Sequence, residues 1–309
     1  MKKIIALFFY CQSFHATAQT DPLPTVTGGT LVRHASFSSA FVTARHVDVW
    51  LPDGYSDKKR YDVLYMHDGQ MLFDSAITWN RQSWDADDIA SQLIRQGRIR
   101  DLIIVGIWNG GTTRHADYFP QKVFDLLTNT EREAIFSAAR NNGASVFQEI
   151  PVRSDKYLRF LVQELKPFID RTYATRTGPN HTHIAGSSMG GLISLYAICE
   201  YPSVFGSAAC LSTHWPGIFT LENNPIPSAI YTYLQKKLPD PRTHKLYFDL
   251  GTATLDALYP PLQEQVDRIL KKKGYSNRHW ITRTFPGSEH SERAWHDRFS
   301  IPLTFLIGI

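Results

Sequence analysis

Ser188 stands in the stretch Gly186-Ser187-Ser188-Met189-Gly190-Gly191, which fits G-x-S-x-G. An apolar run closes at His183-Ile184-Ala185 just before it, and Leu192, Leu195, Tyr196 and Ile198 follow at helical spacing. The order is strand, tight turn, helix. Such a turn lifts a serine hydroxyl clear of the sheet and puts the next backbone N–H where an oxyanion forms. Small side chains at 186, 187 and 190 suit a strained elbow, where strand and helix approach closely. The competing reading is a plain βα turn, or a phosphate cradle at a helix N-terminus. A phosphate loop requires a lysine after the glycines, and none follows. A G-x-G-x-x-G fingerprint requires glycine where Ser188 stands. The chemistry this residue set predicts is nucleophilic attack on an ester carbonyl.

A serine nucleophile needs a base and an acid. In an α/β-hydrolase they follow it in the chain as Asp or Glu, then His. Lys245 to Leu250 reads as a strand, and the loop 251–256 after it ends in Asp256. Asp249 is the rival acid, but it falls inside the strand, where it would brace the loop by hydrogen bonds. Arg278 to Phe285 reads as the next strand. Past Pro286-Gly287 it leads to His290, in the loop where a base must sit. The chain has 12 histidines, and position decides among them. His181 and His183 belong to the strand before the elbow, His279 to a strand and His296 to the last helix. His67 and His214 border the expected pocket but break the required order. His290 would take the Ser188 proton, and Asp256 would orient the imidazole.

The elements that must position this trio are also legible. Tyr61 to Met66 reads as a strand, and His67-Asp68-Gly69-Gln70 follows it directly. Gly69 is expected to let the backbone turn. The N–H groups of Gln70 and Met189 are the expected oxyanion donors. Val47, Val49 and Leu51 alternate with His46, Asp48 and Trp50, as in a half-buried strand among antiparallel first strands. A helix is predicted from about Trp84 to Gln96. Leu102 to Trp108 is a continuous apolar run, as a doubly covered strand should be. Ser154 is expected to cap a helix carrying Leu158, Leu161, Leu165 and Ile169 on one face. Strands alternating with helices predict an α/β fold: a mainly parallel central sheet with helices on both faces.

With these residues placed, the chain resembles the putative esterase family of α/β-hydrolases. That family includes feruloyl and acetyl-xylan esterases, enterochelin esterases, S-formylglutathione hydrolases and mycolyltransferases. The likeness is carried by Val63 to Asp74, by Gly186 to Gly191, by Asp249-Leu250-Gly251-Thr252 through Asp256, and by His290-Ser291-Glu292 with Trp295. It runs from about residue 40 to the C-terminus. It implies Ser188 as nucleophile, His290 as base and Asp256 as acid. The His-Asp-Gly-Gln form is most similar to the enterochelin-esterase-like and carbohydrate-esterase-like branches.

The 309 residues, 43% of them hydrophobic, suffice for one large core. A net charge of +4 without a basic block longer than Lys271-Lys272-Lys273 argues against nucleic acid. Lys2-Lys3, the apolar run Ile4 to Cys11 and Ala16-Thr17-Ala18 read as a signal peptide over residues 1–18. Residues 19–309 read as a single catalytic domain in the periplasm or medium, with no segment long enough to span a bilayer. Cys199 and Cys210 are expected as two buried thiols rather than a disulfide. Neither metal nor organic cofactor is expected. An excursion near 109–153 should form a lip over the pocket. Trp108 just before it, Asn109, Arg114 and Tyr118 in it, and Trp215 further on, are candidate substrate contacts; the alternatives are core packing for Trp108, a turn role for Asn109, a solvated charge for Arg114 and loop packing for Tyr118. The expected function is an exported serine esterase acting on a small-molecule, carbohydrate-linked or siderophore-linked ester. An acyltransferase on the same trio, or a carbohydrate-binding hydrolase fold without activity, are the alternatives.

Overall fold

The computed structural model describes residues 21–139 and 143–309, so the expected signal peptide lies outside the described residues. Strands β1 (Thr30–Phe37), β2 (Arg45–Leu51), β3 (Asp62–His67), β4 (Leu102–Ile107), β5 (Thr182–Ser187), β6 (Ser207–Leu211), β7 (Lys245–Gly251) and β8 (Trp280–Phe285) form one sheet. Its order is β1-β2-β4-β3-β5-β6-β7-β8. The first two strands are antiparallel to their neighbours, and β4 through β8 run parallel.

Strand alternation divides the core. On β3, Val63 and Tyr65 face a large cluster that includes Tyr157, Leu161, Leu192 and Ile193. Leu64 and Met66 face the other side, packed with Ala90, Leu93, Phe299 and Leu303. Both faces are therefore covered by helices, which is why β3, β4 and β5 are buried along their whole length. This is an α/β-hydrolase fold. Cys199 and Cys210 are free and buried within it. Among the described residues, no helix is long and apolar enough to cross a membrane.

Several local expectations are corrected. Strand β2 is not half-buried: Asp48 and Trp50 are both fully buried. Asp48 accepts a two-pronged bond from Arg33 of β1 at 2.7 and 2.8 Å, and Trp50 donates its indole N–H to Gly28 O at 2.7 Å. Polar alternation survives there because each polar atom finds a partner. The helix Ser154–Arg159 has Arg153, not Ser154, as its N-cap; the Ser154 hydroxyl instead accepts the Gln121 N–H at 2.8 Å. Gly69 does not carry the left-handed turn, which falls on Asp68 at φ 57°. Glycine is needed at 69 because a Cβ there would lie 2.5 Å from Gly106 C of the neighbouring strand. His181 and His279 stand just before β5 and β8, and His296 ends the penultimate helix rather than the last one.

One polar cluster ties down the end of the sheet where β3 begins. Asp62 is fully buried and accepts from Arg100 at 2.9 Å, Arg176 at 3.1 Å, His181 at 2.8 Å and His183 at 3.4 Å. Burial alone would raise its carboxyl, but His183 and Arg100 outweigh burial and bring its pKa down to about 2. A carboxylate with a depressed folded pKa stabilises above its unfolded value and loses that contribution as pH falls through the folded one. Asp62 is therefore expected to supply about 2 kcal/mol that disappears between about pH 4 and pH 2. Urea unfolding across that window should show an Asp62→Asn variant losing less stability than the native chain; equal slopes would contradict the assignment.

Candidate active site

Ser188 sits between β5 and the helix Met189–Glu200 with φ 58° and ψ −123°, a backbone strained for a non-glycine residue. The elbow is closed from several sides. Ser188 N donates to Leu211 O at 2.9 Å, and its carbonyl accepts from His214 N at 3.1 Å. A Cβ on Gly186 would lie 2.7 Å from Gly190 C, so the strand and helix meet this closely because residue 186 is glycine. Ser188 remains partly exposed while its neighbours are buried.

The turn after β3 packs directly on this elbow. A Cβ on Gly190 would meet His67 Cβ at 3.3 Å and Asp68 Oδ2 at 3.4 Å. Asp68 is the brace of that turn. It accepts Arg114 Nε and Nη2 at 2.6 and 2.7 Å, and Asn109 Nδ2 at 2.7 Å. Burial would raise the Asp68 carboxyl, but the Arg114 guanidinium overrides it and holds the pKa below the ordinary value. Gln70 lies in the short helical turn Gly69–Met71, and its side-chain oxygen accepts Asn109 N–H at 3.2 Å. Met189 is the first residue of its helix, where a backbone N–H has no intrahelical acceptor. The two donor candidates thus belong to abutting turns.

Asp256 and His290 meet on the same side of the sheet, after β7 and β8. His290 Nδ1 donates to Asp256 Oδ1 at 2.5 Å. With that proton committed to the carboxylate, Nε2 is left as the acceptor. The ring is held edge-on by Trp295 at 5.0 Å and Tyr259 at 5.9 Å. The second carboxylate oxygen of Asp256 accepts Ser212 Oγ–H at 2.5 Å and Gly251 N–H at 2.6 Å. Burial works against ionisation of Asp256, but His290, Ser212 and Gly251 outweigh it and lower the pKa. Tyr259 also bonds His214 Nδ1 at 2.8 Å. Since His214 N holds the Ser188 carbonyl, a contact chain links the elbow to the His290 ring.

The rival residues are engaged elsewhere. Asp249 accepts from Arg298 at 3.0 Å and Tyr247 Oη at 3.1 Å, and burial raises its pKa to about 6. His67 turns Nδ1 to Tyr157 Oη at 2.8 Å, and burial brings its pKa down to about 3, too low for an effective base. His214 is pushed well below its ordinary value by the same cause.

The candidate substrate contacts separate by burial. Asn109 and Arg114 are partly exposed beside the Asp68 turn. Trp108 is drawn toward the outer strands: its indole donates to Asp48 at 2.8 Å and Arg33 stacks on it at 4.7 Å. Tyr118 and Trp215 have no exposed surface. The Tyr118 oxygen accepts Asp68 N–H at 3.4 Å, and Trp215 donates to Gln263 at 3.1 Å. Both pack the interior, because the excursion folds back on the core: its His115 bonds Gly217 O at 2.8 Å and its Asp117 pairs with Arg45 at 3.1 Å and Arg153 at 2.7 Å. Asp68 and Ser212 were not singled out from the sequence. The signal that finds them is a polar residue just past the C-terminal end of a parallel strand, the end at which α/β sheets bind ligands. Among the described residues, no group of three or more His, Cys, Asp or Glu is arranged to hold a metal.

The eight-stranded sheet covered by helices on both faces, with a serine on the turn between β5 and the helix after it, is of the α/β-hydrolase class. The Putative esterase family model matches residues 38–300, and the chain belongs to that family of carboxylic ester hydrolases. It is similar to the uncharacterized protein YbbA of Bacillus subtilis (strain 168), with 23% identity, covering 85% of this chain and 93% of YbbA. Among solved structures, an IroE-like serine hydrolase from Shewanella oneidensis has a TM-score of 0.66 at 18% identity, covering 89% of this chain and 79% of that one. A ferulic acid esterase has a TM-score of 0.62 at 19% identity, covering 90% and 98%. Both structures share the fold.

Proposed function

We propose that the protein is an exported serine esterase that cleaves its ester through an acyl-enzyme on Ser188. The observation that carries this reading is the His290–Asp256 bond at 2.5 Å, which commits Nδ1 and leaves Nε2 for the serine proton. Ser188 Oγ attacks the carbonyl carbon while His290 Nε2 takes its proton. The carbonyl oxygen becomes an oxyanion, held by the N–H groups of Met189 and Gln70; one such donor typically lowers the barrier by about 2.7–4 kcal/mol. The tetrahedral intermediate collapses, and the departing alkoxide receives the proton from imidazolium. Water then repeats the sequence on the acyl-enzyme, restoring Ser188 and releasing the acid. Asp256 stays ionised throughout and stabilises the imidazolium.

Export rests on the charged start, apolar run and A-x-A site of the N-terminus. An uncharged ester is favoured over an anionic siderophore ester by the state of Arg114. That guanidinium spends two donors on Asp68, so its charge is already compensated. A fluorophosphonate probe is expected to label the native chain on the peptide containing Ser188, and mass spectrometry of the digest reads the site. Labelling elsewhere, or none in the folded protein, would remove the basis for a serine nucleophile.

A further inference from the structure

The end of the sheet opposite Ser188 carries a second cleft. Asp62, Thr182, Ser207 and Lys245 are the first residues of β3, β5, β6 and β7, which run parallel. Ser188 follows the last residue of β5, so the two ends stand about 20 Å apart, the length of a six-residue strand. A cavity of about 370 Å³ opens at the starting end, with Arg100, Asn180, His181, Ser207, Thr243 and Lys245 in its walls. None of the residues lining it is acidic.

The cations there are anchored from behind and keep donors free. Lys245 Nζ donates to Phe305 O at 3.1 Å, its one side-chain hydrogen bond among the described residues. Burial, and after it the Arg100 guanidinium, lowers the Lys245 pKa, as befits an ammonium that faces another cation and no carboxylate. Arg100 gives Nε and Nη2 to Asp62 at 2.9 and 2.8 Å, and Nη1 to Gly308 O at 3.0 Å. These bonds use only part of the N–H groups that a guanidinium and an ammonium carry. Asn180 is exposed, and its side-chain amide makes no hydrogen bond among the described residues.

Two groups offset this positive charge in part. Asp62 lies behind the cavity, already shared among Arg100, Arg176, His181 and His183. The last carbonyls of the helix Ser300–Ile307 add about half a negative charge. Arg100, Arg176 and Lys245 together exceed both by more than one charge. A dianion with several acceptor oxygens neutralises that surplus better than a carboxylate does.

We propose that this cleft binds a phosphate group, as inorganic phosphate or a phosphomonoester, between Lys245 and Arg100. The site stands apart from the Ser188 chemistry and does not depend on it. Calorimetry on the full chain with inorganic phosphate and with glycerol 3-phosphate should show one saturable site with Kd below about 1 mM. Acetate should bind about tenfold more weakly or worse. A Lys245→Gln chain should lose about tenfold or more in phosphate affinity, as the loss of one charge-assisted contact implies. Asn180→Asp, an isosteric change at an exposed position, adds a carboxylate to the wall and should abolish binding. Lys58→Gln removes the same charge from an exposed turn outside the cleft and should leave Kd unchanged. A native Kd above that limit, acetate bound as tightly as phosphate, or equal affinities in the native, Lys245→Gln and Asn180→Asp chains overturns the proposal. So does an equal loss in Lys58→Gln, which would report net charge alone. Where soluble phosphate binds, sedimentation with phosphatidic acid vesicles reads its source. A native chain that pellets while Lys245→Gln does not takes its phosphate from a lipid; binding of the soluble probes alone assigns a free one.

Discussion

A Ser188→Ala chain is expected to lose kcat on a short p-nitrophenyl ester by on the order of a millionfold, while remaining folded. The size of the loss follows from the unit character of the trio. Without Oγ there is no acyl-enzyme, and the His290–Asp256 pair has nothing to activate. The oxyanion donors would still polarise a bound carbonyl, so a residual rate of about 10³- to 10⁴-fold over water should persist. Folding should be little affected. The elbow is held by backbone bonds from Ser188 N to Leu211 O and from His214 N to the Ser188 carbonyl, and alanine keeps both. The positive φ at 188 costs alanine about what it costs serine. Turnover within tenfold of the native chain would place the nucleophile elsewhere.

The elbow was legible because steric demand fixes its residue types. Glycine is required at 186, where a Cβ would collide with the Gly190 backbone, and a small residue is favoured at 190, where a Cβ would press on His67. Chain order and strand ends likewise pointed to Asp256 and His290, since a parallel sheet delivers successive loops to one edge. The sheet itself could be read from the apolar runs of β3, β4 and β5, which are covered on both faces.

What escaped reading depends on partners far away in the chain. Asp48 is polar at a strand position that patterns assign to solvent, yet Arg33, its cross-strand partner on β1, and Trp108, just past the end of β4, cover it. Tyr118 ends the short helix Arg114–Tyr118 and Trp215 sits in a loop, and whether such an aromatic faces outward or inward is set by tertiary packing, not by spacing. Trp79 is the converse: its sequence context resembles theirs, but its loop is clamped so that the ring stays out. The left-handed backbone at Asp68 and Ser212 is similarly invisible beforehand, because neither residue type demands it. Both conformations are imposed by the contacts each residue makes at the sheet edge.

Ser212 leads to the second large effect. Its oxygen accepts Trp295 Nε1–H at 3.0 Å and Arg298 Nη2–H at 2.9 Å. Those two donors leave its single hydrogen for Asp256 Oδ2, at 2.5 Å. Gly251 N–H completes the cradle, so one oxygen of Asp256 is held by two donors and the other is aimed at His290. An Asp256→Asn change keeps the shape but replaces an acceptor with an amide. The amide oxygen is drawn toward the Ser212 and Gly251 donors, and the NH₂ group then faces His290 Nδ1. The imidazole must turn its lone pair to that group and carry its proton on Nε2, where Ser188 needs an acceptor. A loss of about 10⁴ in kcat is expected from this wrong tautomer. A Ser212→Ala change removes the charge-assisted bond to Asp256, about 1.5–3 kcal/mol, along with the acceptor for Trp295 and Arg298, and should cost kcat roughly 10- to 100-fold with the tautomer intact. The ordering is the test. If Ser212→Ala matched Asp256→Asn in kcat, the carboxylate would be acting only as a scaffold; if Asp256→Asn cost less than tenfold, it would not be orienting His290 at all.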